Sequence, residues 1–311
     1  MTASLRPTAR HRALAATGLA AALTLALTAC GSSGGSSHDA STPGTHHGGT
    51  PSATAPAGHG SSMSAMPGMG GSATGDGLAD SVDGYRLTSP VATLTAGRTA
   101  PYRFTITGPD GKAVTRFAPE QTKRMHFYAI RSDLTGFQHL HPTMAADGTW
   151  TAEPAALAAG SWRVFASFTP GGGSGEGKDF VLSRTVTVPG EATTAALPPA
   201  AHSTRVDGYT VTVSGEPMAG MAHPLTVRVT KDGEPVTDLQ PYLDTYAHLT
   251  AFHRGDAAFA HLHPTTPVHG DHGGPELSFH AELPTAGDWR LFLQFRTGGR
   301  LHTAALTLRA G

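Results

Sequence analysis

The chain has almost no cysteine: Cys30 is the single one among 311 residues. That excludes an intrachain disulfide framework and any zinc or iron–sulfur site built from several thiolates. A bound metal would have to use histidine, methionine, carboxylate or backbone groups. Charge is scarce too, 14% of residues, and nearly balanced at 22 Lys and Arg against 23 Asp and Glu. Without clustered basic residues there is no electrostatic footprint for a nucleic-acid partner. Long helical periodicity is missing. No P-loop, dinucleotide fingerprint or His-Glu-x-x-His pattern occurs, and Gly-x-Ser-x-Gly is met only at Gly31 to Gly35, inside a Gly/Ser-rich stretch that predicts no strand-to-helix elbow, so the expectation is a protein that is not an enzyme. Acidic residues mostly sit in turns such as Asp110-Gly111, Asp147-Gly148 and Asp232-Gly233, where backbone geometry accounts for them.

The notable apolar run goes from Ala13 to Ala29, after Arg6, Arg10 and Arg12. A basic start followed by an apolar stretch too short to span a bilayer comfortably predicts a secretory signal over residues 1–29. Leu27-Thr28-Ala29-Cys30 resembles the lipobox of bacterial lipoproteins. The resemblance implies cleavage before Cys30, a diacylglyceryl group on its thiol, and membrane lipid as a partner at the outer face of the cytoplasmic membrane. Residues 30–77 are Gly, Ser, Ala, Thr and Pro with scattered His and Met. Such a stretch cannot bury enough surface to offset its ordering entropy, which predicts a disordered tether.

Beyond the tether come short alternating segments such as Tyr102-Arg103-Phe104-Thr105-Ile106 and Arg184-Thr185-Val186-Thr187-Val188, separated by turn signals. They predict antiparallel strands. An internal repeat organises them. Asp110-Gly111, His126 and His139-Leu140-His141-Pro142 match Asp232-Gly233, His248 and His261-Leu262-His263-Pro264 at an offset of 122. Trp162-Arg163 and Phe168 match Trp289-Arg290 and Phe295 at an offset of 127, so the second copy has a net insertion within Thr265 to Leu277, which carries His269 and His272. The prediction is an all-β chain of two tandem β-sandwich domains, residues 78–189 and 201–311, joined by a linker over 190–200. Their size suits an immunoglobulin-like or a cupredoxin-like sandwich.

Histidine and methionine are plentiful, 18 and 8 residues. His139 and His141 are two apart on a predicted strand and share a face. A hairpin register that sets His126 opposite His141 also sets Tyr128 opposite His139 and Ile130 opposite Phe137; the second copy sets His248 opposite His263, Thr250 opposite His261 and Phe252 opposite Phe259. The phenylalanine pair is expected to face its own sandwich core, with the histidines at that core's open end. There they would form a metal cradle, since imidazole suits copper, zinc, nickel and iron. The competing reading is a structural corner, with the rings bonded to backbone groups and Pro142 and Pro264 ending the strands.

Further candidate ligands favour the second domain: Met218, Met221 and His223 form a Met-x-x-Met-x-His cluster, and His280 and His302 lie in later segments. The insertion with His269 and His272 could fold over the site. In the tether, Met63, Met66 and Met69 lie three apart beside His59. Thioethers select Cu(I), so the combined ligand set points to copper as the cofactor, with zinc as the alternative.

The tandem segments Met125 to Leu134, Phe137 to Pro142, Ala281 to Pro284 and Trp289 to Phe292 resemble a family of uncharacterised lipoproteins and secreted proteins of high-GC Gram-positive bacteria. Some of its members occur near copper-handling genes, which implies a copper-handling protein as a partner. Cupredoxins are a more distant likeness, and without a Cys ligand a blue electron-transfer centre is excluded. Two functions stay open: a copper-binding lipoprotein for storage, delivery or homeostasis, and a non-catalytic structural or protein-interaction module of the envelope.

Overall fold

A computed structural model describes residues 74–311. The signal peptide, Cys30, and Met63, Met66 and Met69 of the tether lie outside the described residues. Among the described residues all regular structure is β. The first repeat contributes β1 (Ser81–Val82), β2 (Tyr85–Thr88), β3 (Tyr102–Thr107), β4 (Phe117–Ala118), β5 (His126–Arg131), β6 (Gln138–Leu140), β7 (Thr143–Met144), β8 (Thr149–Ala152), β9 (Gly160–Pro170) and β10 (Phe180–Val188). The second contributes β11 (Ser203–Val206), β12 (Tyr209–Ser214), β13 (Ala222–Lys231), β14 (Glu234–Pro235), β15 (Ala247–His253), β16 (Phe259–Pro264), β17 (Glu276–Glu282), β18 (Gly287–Thr297) and β19 (Arg300–Ala310).

Each repeat is a two-layered sandwich, and no sheet takes strands from both copies. In the first, β1-β2-β3-β8-β7 lies over β10-β9-β5-β6. The second has the same order of equivalent strands, β11-β12-β13-β17-β16-β15-β18-β19, but β16 is long enough to pair with both β15 and β17 and joins its two layers. Alternation drives the packing: β3 buries Tyr102, Phe104 and Ile106 and turns Arg103 outward, and β12 does the same with Tyr209, Val211 and Val213. Trp150, Phe104 and Phe127 centre the first core; Trp289, Phe279 and Phe295 centre the second.

Strands β5 and β15 break the alternation, because almost every residue in them is buried. One face supplies its own core through Phe127 and Ala129, or Leu249 and Ala251. The other face forms a third core with the neighbouring sandwich: Tyr128, Ile130, Leu134 and Phe165 pack against Phe252, Phe259 and Phe292. This corrects the expectation for Phe252 and Phe259. They pair in the expected register, yet they face the other domain and not their own core.

The contact is close to two-fold symmetric. Phe137 stacks on Phe292 with ring centres 4.2 Å apart, and the repeat-equivalent pair, Phe259 and Phe165, meets at 5.5 Å. A surface in which residue i meets j and j meets i is the pattern of an isologous dimer, here made within one chain. The linker and the N-terminal segment reinforce it. The Ala195 N–H donates to Asp133 Oδ2 at 2.9 Å, and the Phe259 N–H donates to the Asp76 carbonyl at 2.8 Å. Gly77, at φ +71°, passes so close that a Cβ would sit 3.0 Å from both Phe165 and Phe259.

Candidate metal centre

The face that carries the third core also carries the histidines. On β5, residues 126, 128 and 130 point one way; on β15, residues 248, 250 and 252 do. Tyr128 pairs with His139 and Thr250 with His261, as the hairpin register predicts. Because the two faces meet, the two histidine sets do not sit at separate open ends. They converge on one centre between the domains, with His126 and His248 stacked 5.6 Å apart near the pseudo-two-fold axis. His139 lies 4.7 Å from His248, and His261 lies 4.6 Å from it.

Hydrogen bonds fix the ring orientations. The His126 Nε2–H donates to the Glu120 carbonyl at 3.0 Å, and the His139 Nδ1–H donates across the interface to Gln294 Oε1 at 2.7 Å. With those protons placed, His126 Nδ1 and His139 Nε2 both present lone pairs to each other at 3.0 Å. Two lone pairs at that distance repel unless a cation lies between them, and two imidazole nitrogens at about 2.0–2.1 Å from one ion stand roughly 2.9–3.4 Å apart as their angle at the ion opens from a right angle to tetrahedral. The Tyr128 hydroxyl and His248 Nε2 are hydrogen-bonded across the interface at 3.1 Å; with the imidazole proton on Nε2, the Nδ1 keeps its lone pair. His141 Nε2, His248 Nδ1 and His261 Nε2 are buried without any partner, which is costly for polar atoms that nothing else satisfies.

Glu120 joins the centre from the turn before β5. Its Oε1 stands 3.4 Å from His261 Nδ1, long for a hydrogen bond and close to the spacing of two ligands on one tetrahedral ion, about 3.4 Å. Burial alone would raise its pKa, but contact with the His261 imidazole and the charges of His261, His126 and His263 outweigh it and hold the carboxyl down at about 2. The histidines move the other way from protonation. Burial, followed by mutual repulsion, holds His139 and His248 well below the usual imidazole range and lowers His126. Burial first, with neighbouring positive charge, brings His141 and His263 to about 4. All five are therefore neutral at pH 7, the state in which imidazole binds metals. One donor atom from each of His126, His139 and His141 lies within 4.8 Å of the others, and the same holds for Glu120, His261 and His263.

The remaining candidates lie elsewhere. His302 donates from Nδ1 to Asp207 at 2.7 Å and packs on Tyr209 and Phe295, so its role is to tie a loop to the second core. His223 pairs with Ala281, which faces that core, whereas His263 pairs with His280 on the opposite face. Met218 and Met221 are exposed. The side chains of His269 and His272 are exposed as well, and the insertion is held through its backbone by the Tyr246 hydroxyl instead of closing over the histidines. The sequence favoured the second domain through its further ligands; the structure instead gathers His126, His139 and His141 of the first domain and His248, His261 and His263 of the second on the faces that dock.

Two segments of the chain, residues 80–187 and 204–311, each match one family, Domain of unknown function (DUF8832). No curated protein matches. Among solved structures, the fibronectin(III)-like modules of Clostridium thermocellum CbhA align over 73% of this chain and 92% of theirs at 11% identity and a TM-score of 0.19. The Escherichia coli adhesin FdeC aligns over 74% of this chain and 65% of its own, at 17% identity and a TM-score of 0.24. A putative membrane anchored protein from Corynebacterium diphtheriae aligns over 74% and 59%, at 10% identity and 0.20. Overlaps this loose set no functional precedent.

Proposed function

We propose that this chain, which belongs to the DUF8832 family through both of its sandwiches, binds a transition metal between them. Copper is the first choice and zinc the second, for storage, delivery or homeostasis and without catalysis. The observation that supports it is the set of ring nitrogens at the buried interface that have no other occupation: His141 Nε2, His248 Nδ1 and the facing pair on His126 and His139. A structural corner would give each ring a backbone carbonyl. Within this group only His126 has one, from Glu120.

The test is to titrate residues 74–311, made metal-free, with Cu(II), Zn(II), and Cu(I) under reducing conditions. The His261→Ala and His263→Ala changes should each remove one binding event while the protein stays folded. If wild-type protein takes up no ion above background, the interaction-module reading replaces this one; it would then draw on the exposed Met218 and Met221 as a contact for an envelope partner.

The anchor is part of the same proposal. Cys30 would carry the lipid, residues 1–29 would be removed, and the tether would hold the sandwiches off the outer face of the cytoplasmic membrane, where Met63, Met66 and Met69 could pass Cu(I) from a copper-handling partner. Cys30→Ser should release or mis-process the protein. Lipid-labelled, membrane-bound Cys30→Ser protein would end the anchor proposal.

A further inference from the structure

The ligand-capable groups at the domain interface do not form one pool. One set is three imidazoles, His126, His139 and His141, all from the first sandwich; the other is a carboxylate with two imidazoles, Glu120 from the first sandwich and His261 and His263 from the second. We propose that the centre holds two non-equivalent ions sorted by charge: Cu(I) in the three-imidazole set, and a divalent ion, Zn(II) or Cu(II), in the Glu120 set, where it clasps the two sandwiches together. This rests on the reading of the interface as a metal centre.

The reason is the cost of burying charge. Ionic desolvation grows with the square of the charge, so a buried +2 unit costs about four times a buried +1 unit. Three neutral imidazoles around a divalent ion leave +2 in a place where His126 is 1% exposed; around Cu(I) they leave +1. The Glu120 carboxylate does for a divalent ion what the lower oxidation state does for copper, and the second set again ends at +1. Both sets are spaced to hold an ion, at 3.0 Å between His126 Nδ1 and His139 Nε2 and 3.4 Å between His261 Nδ1 and Glu120 Oε1.

Their surroundings differ in the same sense. Every ligand of the first set belongs to one domain, and the second domain only orients it, through Gln294 on His139. The second set is incomplete without both domains, so an ion there adds a bond across the interface. His248, from the second sandwich, lies between the sets and belongs to neither, its ring centre 4.7 Å from that of His139 and 4.6 Å from that of His261.

The experiment uses the full chain, stripped of metal, with each variant compared against wild type so that any tether ligands cancel. Zn(II) is titrated by calorimetry, and Cu(I) under reductant against a competing chelator. Glu120→Gln keeps the side chain's shape and removes its charge; His141→Ala removes a partly exposed residue whose buried Nε2 bonds nothing, so neither should unfold the protein. Glu120→Gln, in the first sandwich, and His263→Ala, in the second, should lose the same tight Zn(II) ion, weakening it by at least about tenfold, and both should keep the tightest Cu(I). His141→Ala should do the reverse. Wild-type protein that binds neither ion would end the metal reading itself. A single ion weakened alike by all three substitutions, or Zn(II) lost in His141→Ala and kept in Glu120→Gln, would overturn the two-ion proposal and leave metal binding standing.

Discussion

Stripping the metal with a chelator should lower the thermal unfolding midpoint of this protein by about 8–16 °C. The figure follows from linkage: an ion that binds only the folded state, present at about 1,000 times its Kd, stabilises by about 4 kcal/mol. For a folded body of this size each kcal/mol is worth roughly 2–4 °C. The same atoms that gain in the loaded state lose in the empty one. His126 Nδ1 and His139 Nε2 then face each other at 3.0 Å, and His141 and His248 each keep an unpaired buried nitrogen. Scanning calorimetry with and without chelator measures the shift. Identical midpoints across a thousandfold range of free metal would show that no ion stabilises the fold.

Acid should weaken the metal-free protein in a related way. His141 and His263 have folded pKa values of about 4, and those of His139 and His248 are also depressed. An unfolded chain binds those protons near pH 6.5, so below that pH it holds more protons than the folded one, and stability falls as pH drops from about 6.5 through about 4.

Phe259→Ala should cost about 3–5 kcal/mol. Phe259 is 3% exposed and touches Tyr128, Phe165 and Phe252 in the core between the domains. It also anchors the N-terminal segment through its N–H bond to the Asp76 carbonyl. The two sandwiches have separate cores of their own, so removing this ring should loosen their docking before it unfolds either one. Unfolding should therefore split from one transition into two, and metal affinity should fall because Glu120 no longer holds its place opposite His261. A variant that keeps wild-type stability and a single transition would show that the interdomain core is not what couples the halves.

The sequence by itself determined each hairpin and each sandwich. Alternation at Tyr102 to Ile106, turn pairs such as Asp110-Gly111, and the offsets of 122 and 127 made the strands and the duplication legible, because side-chain period and turn chemistry act over a few residues. The registers of Tyr128 with His139 and Thr250 with His261 were legible for the same reason: two residues from each hairpin fix all the others. Even the second buried face left a trace, since His126 to Arg131 runs nearly without a solvent-facing break, the mark of a strand covered on both sides.

What the tertiary structure decided is where that second face goes. Docking in a pseudo-two-fold arrangement turned two separate histidine patches into one centre, brought Glu120 and Gln294 to it, and left His302, His223, Met218 and Met221 aside. Glu120 sits in an ordinary turn, 141 residues in sequence from its partner His261, and no local pattern encodes a contact at that distance. Its place depends on how two finished surfaces fit, and that follows from the shape and apolar area of both faces together.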